Sequence, residues 1–355
     1  MVKKLLDQGL TPEKSKDLAR SRMRRMRGRF MVGGQGGMTR PVEMVDNVCM
    51  GLPVNCNASS PFRTIDGLCN NLDNPYQGAT STKYRRDIPL TEVFDPEEDF
   101  NIFLDPIRVR MGKGGKGNGG GQLPPSNEAE CPSRSDLPGA RLVSTTFHTD
   151  QDLPSDKITT MVMQFGQFLD HDTDLTAEDE AHDCCSEMPD DPEDQCFPIF
   201  VSPNDPFYGP RNVTCLEFVR SVEFCEENGG PKELANVVTH YIDGSNIYAS
   251  DEITASLIRA FKGGRLLVEE NGLLPRIDDV EIAGDVRALE MPGLASMHTL
   301  WVREHNRVAD EVQKLHPEWS DEDVFQNARR IVVAEYQNVV YGEFLPILVG
   351  PSNLK

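Results

Sequence analysis

The stretch Gln164 to Thr176, QFGQFLDHDTDLT, decides how this 355-residue chain is read. Just upstream, Ser155 stands where a helix cap is expected, and Ile158, Met161, Val162, Phe165, Phe168 and Leu169 recur at three- and four-residue steps. That spacing predicts an amphipathic helix with one apolar stripe. At about 100° per residue, Gln164, Gln167 and His171 fall together on a neighbouring face, with Asp170 to one side. Packing requires none of these polar groups. Taken alone, the carboxylates can terminate the helix and the imidazole can bond a carbonyl. The sharper reading is an acid/base histidine, because imidazole binds and releases protons near neutrality.

Two more stretches carry a similar surplus of chemistry. In THYIDGS, Thr239, the Tyr241 carbonyl, Asp243 and Ser245 place oxygens at every second residue of a Gly-containing loop. Alternating hard oxygens suit Ca²⁺, which takes six to eight of them, although an ordinary turn reads the same way. One further carboxylate would complete such a site, and Asp172 is free to supply it. In AGDVRALEMPGLASMHTLWVREHNR, residues 283–307, Arg287, Glu290 and Met291 precede a helix. Its core stripe is Leu294, Met297, Trp301, Val302 and Val308, and His298 and His305 read as packed structural residues.

Residues 324–348 hold one or two further helices, with Pro346 interrupting the last, and strand signals are few and short. The fold class that follows is mainly α, with long disulfide-braced loops. Nine cysteines, and the sequons at Asn57 and Asn212, point to an oxidising, extracellular compartment. The polar N-terminus lacks the apolar core of a signal peptide, so the true start is expected upstream of Met1.

Charge narrows the partners. With 36 basic against 57 acidic residues the chain carries −21, which disfavours nucleic acid and anionic membrane surfaces. No apolar run reaches the roughly 18 residues of a membrane span. Residues 1–40 form a basic segment in which Thr11 and Pro12 can open a helix, and Arg22-Met23-Arg24-Arg25 offers a basic cleavage site, so this part reads as a solvated helix or a removable propeptide. For the rest, 41–355, length alone leaves open one large domain or two smaller ones. It carries a Gly/Pro-rich insertion at 111–130. Within it GKGGKGNGGGQ lacks the Gly-Lys-Ser/Thr ending of a phosphate loop and reads as a disordered segment.

The three stretches, in this order and joined by RLVSTTF at Arg141–Phe147 and FLPILVGP ending at Pro351, resemble the animal haem peroxidases. The resemblance implies one partial helical domain over 41–355 that holds haem b and reduces hydrogen peroxide while oxidising a halide or a phenolic or tyrosyl donor. It implies that His171 moves the peroxide proton, that Arg287 stabilises charge on the leaving oxygen, and that Gln167 bonds the peroxide or halide. Asp170 and Glu290 match the carboxylates that form haem esters in this family, and Met291 matches the sulfonium-linking position of some members. Asp172, Thr239, Tyr241, Asp243 and Ser245 match its calcium ligands. Cys56 matches a partner in Cys69, and Cys184 and Cys185 match partners in Cys196 and Cys215 in an order left open; Cys49, Cys131 and Cys225 remain over.

The family's axial histidine on the opposite haem face lies beyond the FLPILVGP segment, and no histidine here matches it. Two expectations follow. In one, the chain is an incomplete piece of an active secreted peroxidase; in the other, it is a half-domain that binds calcium and partners without catalysis.

Overall fold

A computed structural model of the chain describes residues 54–84, 139–148, 150–177, 184–185, 198–218, 221, 223–224, 233–277 and 280–350. The basic segment 1–40, the insertion 111–130 and Cys49, Cys131, Cys196 and Cys225 lie outside these residues. Among the described residues seven α-helices carry the fold: α1 Ala140–Phe147, α2 Met161–Thr173, α3 Ser245–Tyr248, α4 Glu252–Leu257, α5 Pro292–Leu315, α6 Asp321–Val339 and α7 Leu345–Val349. The described strands are two to four residues long and pair antiparallel. The expected mainly α class with sparse strands is what the chain adopts.

The core forms where α5 and α6 pack on each other and α5 crosses α2. From α5 it takes Leu294, Trp301, Val302, Val308, Ala309 and Val312; Val324, Phe325, Ala328, Val332 and Tyr336 of α6 meet them. Phe168 of α2 is fully buried, with edge-on contacts to His298 at 4.9 Å and Tyr336 at 5.7 Å. Emptying that position to alanine should cost about 3–5 kcal/mol. The predicted α5 stripe is thus the observed one, with Met297 partly buried at its edge.

Local chemistry sets the helix ends. Ser320 and Asp323 form a reciprocal capping box at the start of α6. Pro292 occupies the first turn of α5, where its missing N–H costs nothing.

Two sequence expectations need correction. Helix α2 starts at Met161, not at Ser155: the Ser155 hydroxyl accepts from the Lys157 and Ile158 amides, closing a turn of its own. Consequently Ile158 and Met161 are about half exposed rather than core. The break near Pro346 also lies earlier than expected, in a π-helical turn at Val340–Phe344. There Leu345 N–H donates to the Val340 carbonyl, and the widened turn delivers the chain to Pro346 in the first turn of α7, where no N–H is needed.

Disulfides brace the loops. Cys56–Cys69 and Cys185–Cys215 are formed, and Cys184 is disulfide-bonded as well. The open order is therefore fixed for Cys185. No described helix is long and apolar enough to cross a membrane.

Candidate active site

His171 sits in the last turn of α2, and its side chain is 5% exposed. Its two ring nitrogens face different surroundings. Nε2 lies 3.9 Å from a Glu290 carboxylate oxygen, on the side where Glu290 remains partly exposed. Nδ1 is buried with no hydrogen-bond partner, 3.9 Å from the buried Asp285 carboxylate. Burial, then the neighbouring Arg287 cation, lowers the His171 pKa to about 4, so the ring is neutral at physiological pH.

The polar face foreseen on α2 is assembled. Gln164 donates to Gln167 at 3.0 Å, and Gln167 donates to Glu290 Oε2 at 3.1 Å. Glu290 is therefore the point where Gln167 and His171 converge from one helical turn apart. Asp170, exposed beside them, and Glu290 both have raised pKa values; burial is the main cause, with Asp174 adding for Asp170 and Arg287 opposing for Glu290. Met291 stands at the α5 N-cap, 37% exposed.

Arg287 is held more firmly than its sequence position suggests. Its Nε and Nη2 grip Asp285 at 3.0 and 2.8 Å, Nη2 also reaches the His171 carbonyl at 3.1 Å, and Nη1 reaches the Asp174 carbonyl at 2.8 Å. The guanidinium thus uses four of its five N–H groups, and it places a cation at the C-terminal end of α2, where helix carbonyls favour one. Burial works to raise the Asp285 pKa, but the charge and hydrogen bonds of Arg287 overcome it and hold the carboxylate below its usual range. Gly284 makes the approach possible: a Cβ there would stand 2.5 Å from the Ile247 carbonyl carbon and 2.6 Å from the Asn246 oxygen.

Behind the helix the second predicted cluster closes on itself. Ser245 Oγ donates to the Asp172 carboxylate at 2.9 Å and lies 2.7 Å from its carbonyl, and Gly244 N–H, at φ 71°, donates to the other carboxylate oxygen at 3.2 Å. Thr239 Oγ1 donates to Asp243 Oδ1 at 2.8 Å, while Asp243 Oδ2 is buried without a hydrogen bond, 3.9 Å from Arg63 Nε. Burial raises the pKa of both carboxylates, and for Asp172 the nearby Asp243 charge adds to the rise. Two buried, mutually destabilised carboxylates among hydroxyl oxygens fit a hard divalent cation. Among the described residues no three His, Cys, Asp or Glu side chains form a metal-ligating group, so any such ion would rest on this pair plus hydroxyl and backbone oxygens. Tyr241 sends its hydroxyl away, to the Gln77 carbonyl at 2.7 Å, which leaves its own carbonyl as the candidate ligand.

His298 and His305 are buried inside α5, as expected of packed residues. His305 bonds Tyr248 and the Gly264 carbonyl, each at 2.9 Å.

With this geometry in place the comparisons fall into line. The animal haem peroxidase family profile matches residues 62–355. The chain belongs to the animal haem peroxidases. It is 37% identical over 329 residues to the chorion peroxidase of Aedes aegypti, covering 85% of this chain and 38% of that protein. A peroxidase of Drosophila melanogaster is 35% identical over 340 residues, covering 86% and 44%. Among solved structures, peroxidase A of Dictyostelium discoideum superposes with a TM-score of 0.57 at 25% identity, covering 81% of this chain and 53% of that one. The chain thus spans less than half the length of the two curated relatives.

Sequence reasoning overlooked three residues in this family member's site. Asp285 stands two positions before Arg287, a spacing from which a carboxylate can turn back on the Arg287 amide at 2.8 Å; that local turn was the readable signal. Asn246, whose amide donates to the Phe168 carbonyl at 2.6 Å, and Asn236, which bonds Leu175 and Thr173 at the α2 exit, join segments more than 60 residues apart. No local pattern announces them.

Proposed function

We propose that this chain supplies the peroxide-handling side of a haem peroxidase that oxidises a halide or a phenolic or tyrosyl donor. The observation that carries the reading is a neutral, buried His171 whose Nε2 meets the same open side as Gln167 and Glu290 while Arg287 is locked behind it. The exposed Asp170, Glu290 and Met291 around that side fit a flat cofactor with carboxylate and thioether tethers. A bound haem b would supply the two-electron reduction of hydrogen peroxide.

The chain's own residues do the proton work. Neutral His171 accepts a proton at Nε2 from the peroxide oxygen and returns it to the outer oxygen, which leaves as water. Arg287, itself largely buried, brings a fixed positive charge to the edge of the site, where charge developing on the departing oxygen is stabilised more than by water alone. Gln167, already aligned by Gln164, orients the peroxide or halide. Asp170 and Glu290 would tether the haem as esters and Met291 through its sulfur; the mass of the haem-bearing peptides counts those links.

Asp172, Asp243, Thr239, Ser245 and the Tyr241 carbonyl would hold calcium, pinning the His171 helix to the THYIDGS loop. The formed disulfides support an extracellular location, and Asn57 and Asn212 are exposed, as glycan acceptors must be.

The test is peroxide reactivity in the haem-loaded protein by stopped flow. His171→Ala and Arg287→Ala should each slow it by about 10²-fold or more. Near-normal rates in both would refute the assignment. Calcium binding by a haem-loaded wild type that ignores peroxide would favour the non-catalytic, calcium-binding module instead.

A further inference from the structure

We infer that Asp285 is a positioning residue that fixes which nitrogen of His171 carries the proton, holding Nδ1–H toward itself and leaving Nε2 as the free acceptor. The inference rests on the peroxidase reading for its purpose and on geometry for its substance. His171 Nδ1 is sealed from water and unpartnered, and the buried Asp285 carboxylate lies 3.9 Å from it. A lone pair on Nδ1 would face that carboxylate, which repels it; an N–H there is attracted. Nε2 has the Glu290 carboxylate at the same 3.9 Å, but Glu290 is 30% exposed and already accepts from the Gln167 amide, so water screens its pull on an Nε2–H far more than it screens the buried Asp285. The carboxylate is in turn fixed. Oδ1 accepts from the Arg287 amide and Nε, Oδ2 accepts from Arg287 Nη2, and the Gly284 approach leaves the segment no room to move back.

The distance is longer than a hydrogen bond, as catalytic contacts commonly are before ligand is bound. Its sign is nevertheless definite, because Arg287 keeps Asp285 ionised. One carboxylate therefore does two things: it orients the cation and orders the base, as outer-sphere carboxylates do for histidines elsewhere.

The 355-residue chain, labelled with ¹⁵N-histidine and free of haem, tests this through long-range proton–nitrogen NMR, with His171 assigned by loss of its signals in His171→Gln. The expected result is neutral His171 protonated at Nδ1. Asp285→Asn, which removes the charge and can present an N–H₂ toward the ring, should abolish the Nδ1–H signal or split it with Nε2–H. His305, whose tautomer Tyr248 and Gly264 set, should keep its pattern in both proteins and so report an intact core. Wild-type His171 protonated at Nε2 overturns the inference whether or not the variant folds, and so does an Asp285→Asn spectrum with Nδ1–H unchanged. The measurement involves no peroxide. A protein inert to peroxide but with Nδ1–H as expected sinks the peroxidase reading alone, whereas an active enzyme with the opposite tautomer sinks only the role of Asp285.

Discussion

At the scale of single residues, position decides role more than identity does. Seven histidines occur in the chain, and among those described His171 is set apart by one buried, unpartnered nitrogen and one facing polar groups on an open side. His305 has both nitrogens bonded and reads as structure. Gly284 shows the same dependence on surroundings. Its Cβ would overlap the 246–247 backbone rather than a movable side chain, so Gly284→Ala must push Asp285 and Arg287 away from α2. The expected cost is about 1–3 kcal/mol of stability by chemical denaturation, with slowed peroxide reaction. Wild-type values for both would mean that the 283–287 segment is not wedged as described.

At the scale of elements, α2 is held at both ends of its chemistry. Arg287 closes its carbonyl end, Asn246 takes the Phe168 carbonyl, and Asp172 anchors it to the 239–245 loop. That loop is braced from outside by residues 63–78: the Arg63 guanidinium lies over the Tyr241 ring at 4.6 Å, the Tyr241 hydroxyl donates to the Gln77 carbonyl, and the His240 amide donates to the Gly78 carbonyl. If calcium bridges Asp172 and Asp243, chelation should lower the melting temperature, since an ion present at 100 times its dissociation constant contributes about 2.7 kcal/mol. Asp243→Asn should remove that calcium dependence and, by relieving repulsion between two buried carboxylates, leave the calcium-free protein no less stable than calcium-free wild type. A variant that still melts higher with added calcium would move the ion elsewhere.

At the scale of the whole molecule, the buried histidines set an acid limit. Burial lowers His298 and His305 to about 4 from an ordinary 6.5. The unfolded chain therefore binds more protons between those values, and their contribution is complete above about pH 6.5 and lost as pH falls toward about 4, at up to about 1.4 kcal/mol per pH unit for each group. The Asp172 and Asp243 pair works in the opposite sense, because raised carboxylate pKa values make the folded state the better proton acceptor. Melting curves in saturating calcium, which holds that pair ionised, should accordingly drop steeply across this window. A flat profile there would place the histidines in contact with solvent.

Much of this was legible in the linear chain because it is local. A 3.6-residue period marks α5 and its stripe, and a helical turn necessarily brings Gln164, Gln167 and His171 onto neighbouring positions. Family membership, too, follows from motif order alone. What folding decided is everything that depends on two distant segments meeting: where α2 starts, since Ser155 closes a competing turn; that Glu290 joins Gln167 across 123 residues; and that Arg287 faces Asp285 and the end of α2. Sequence carries periodicity and caps because these act over a few residues. The surroundings of a buried group, which set its charge, its tautomer and its partners, exist only after the chain has excluded water from it.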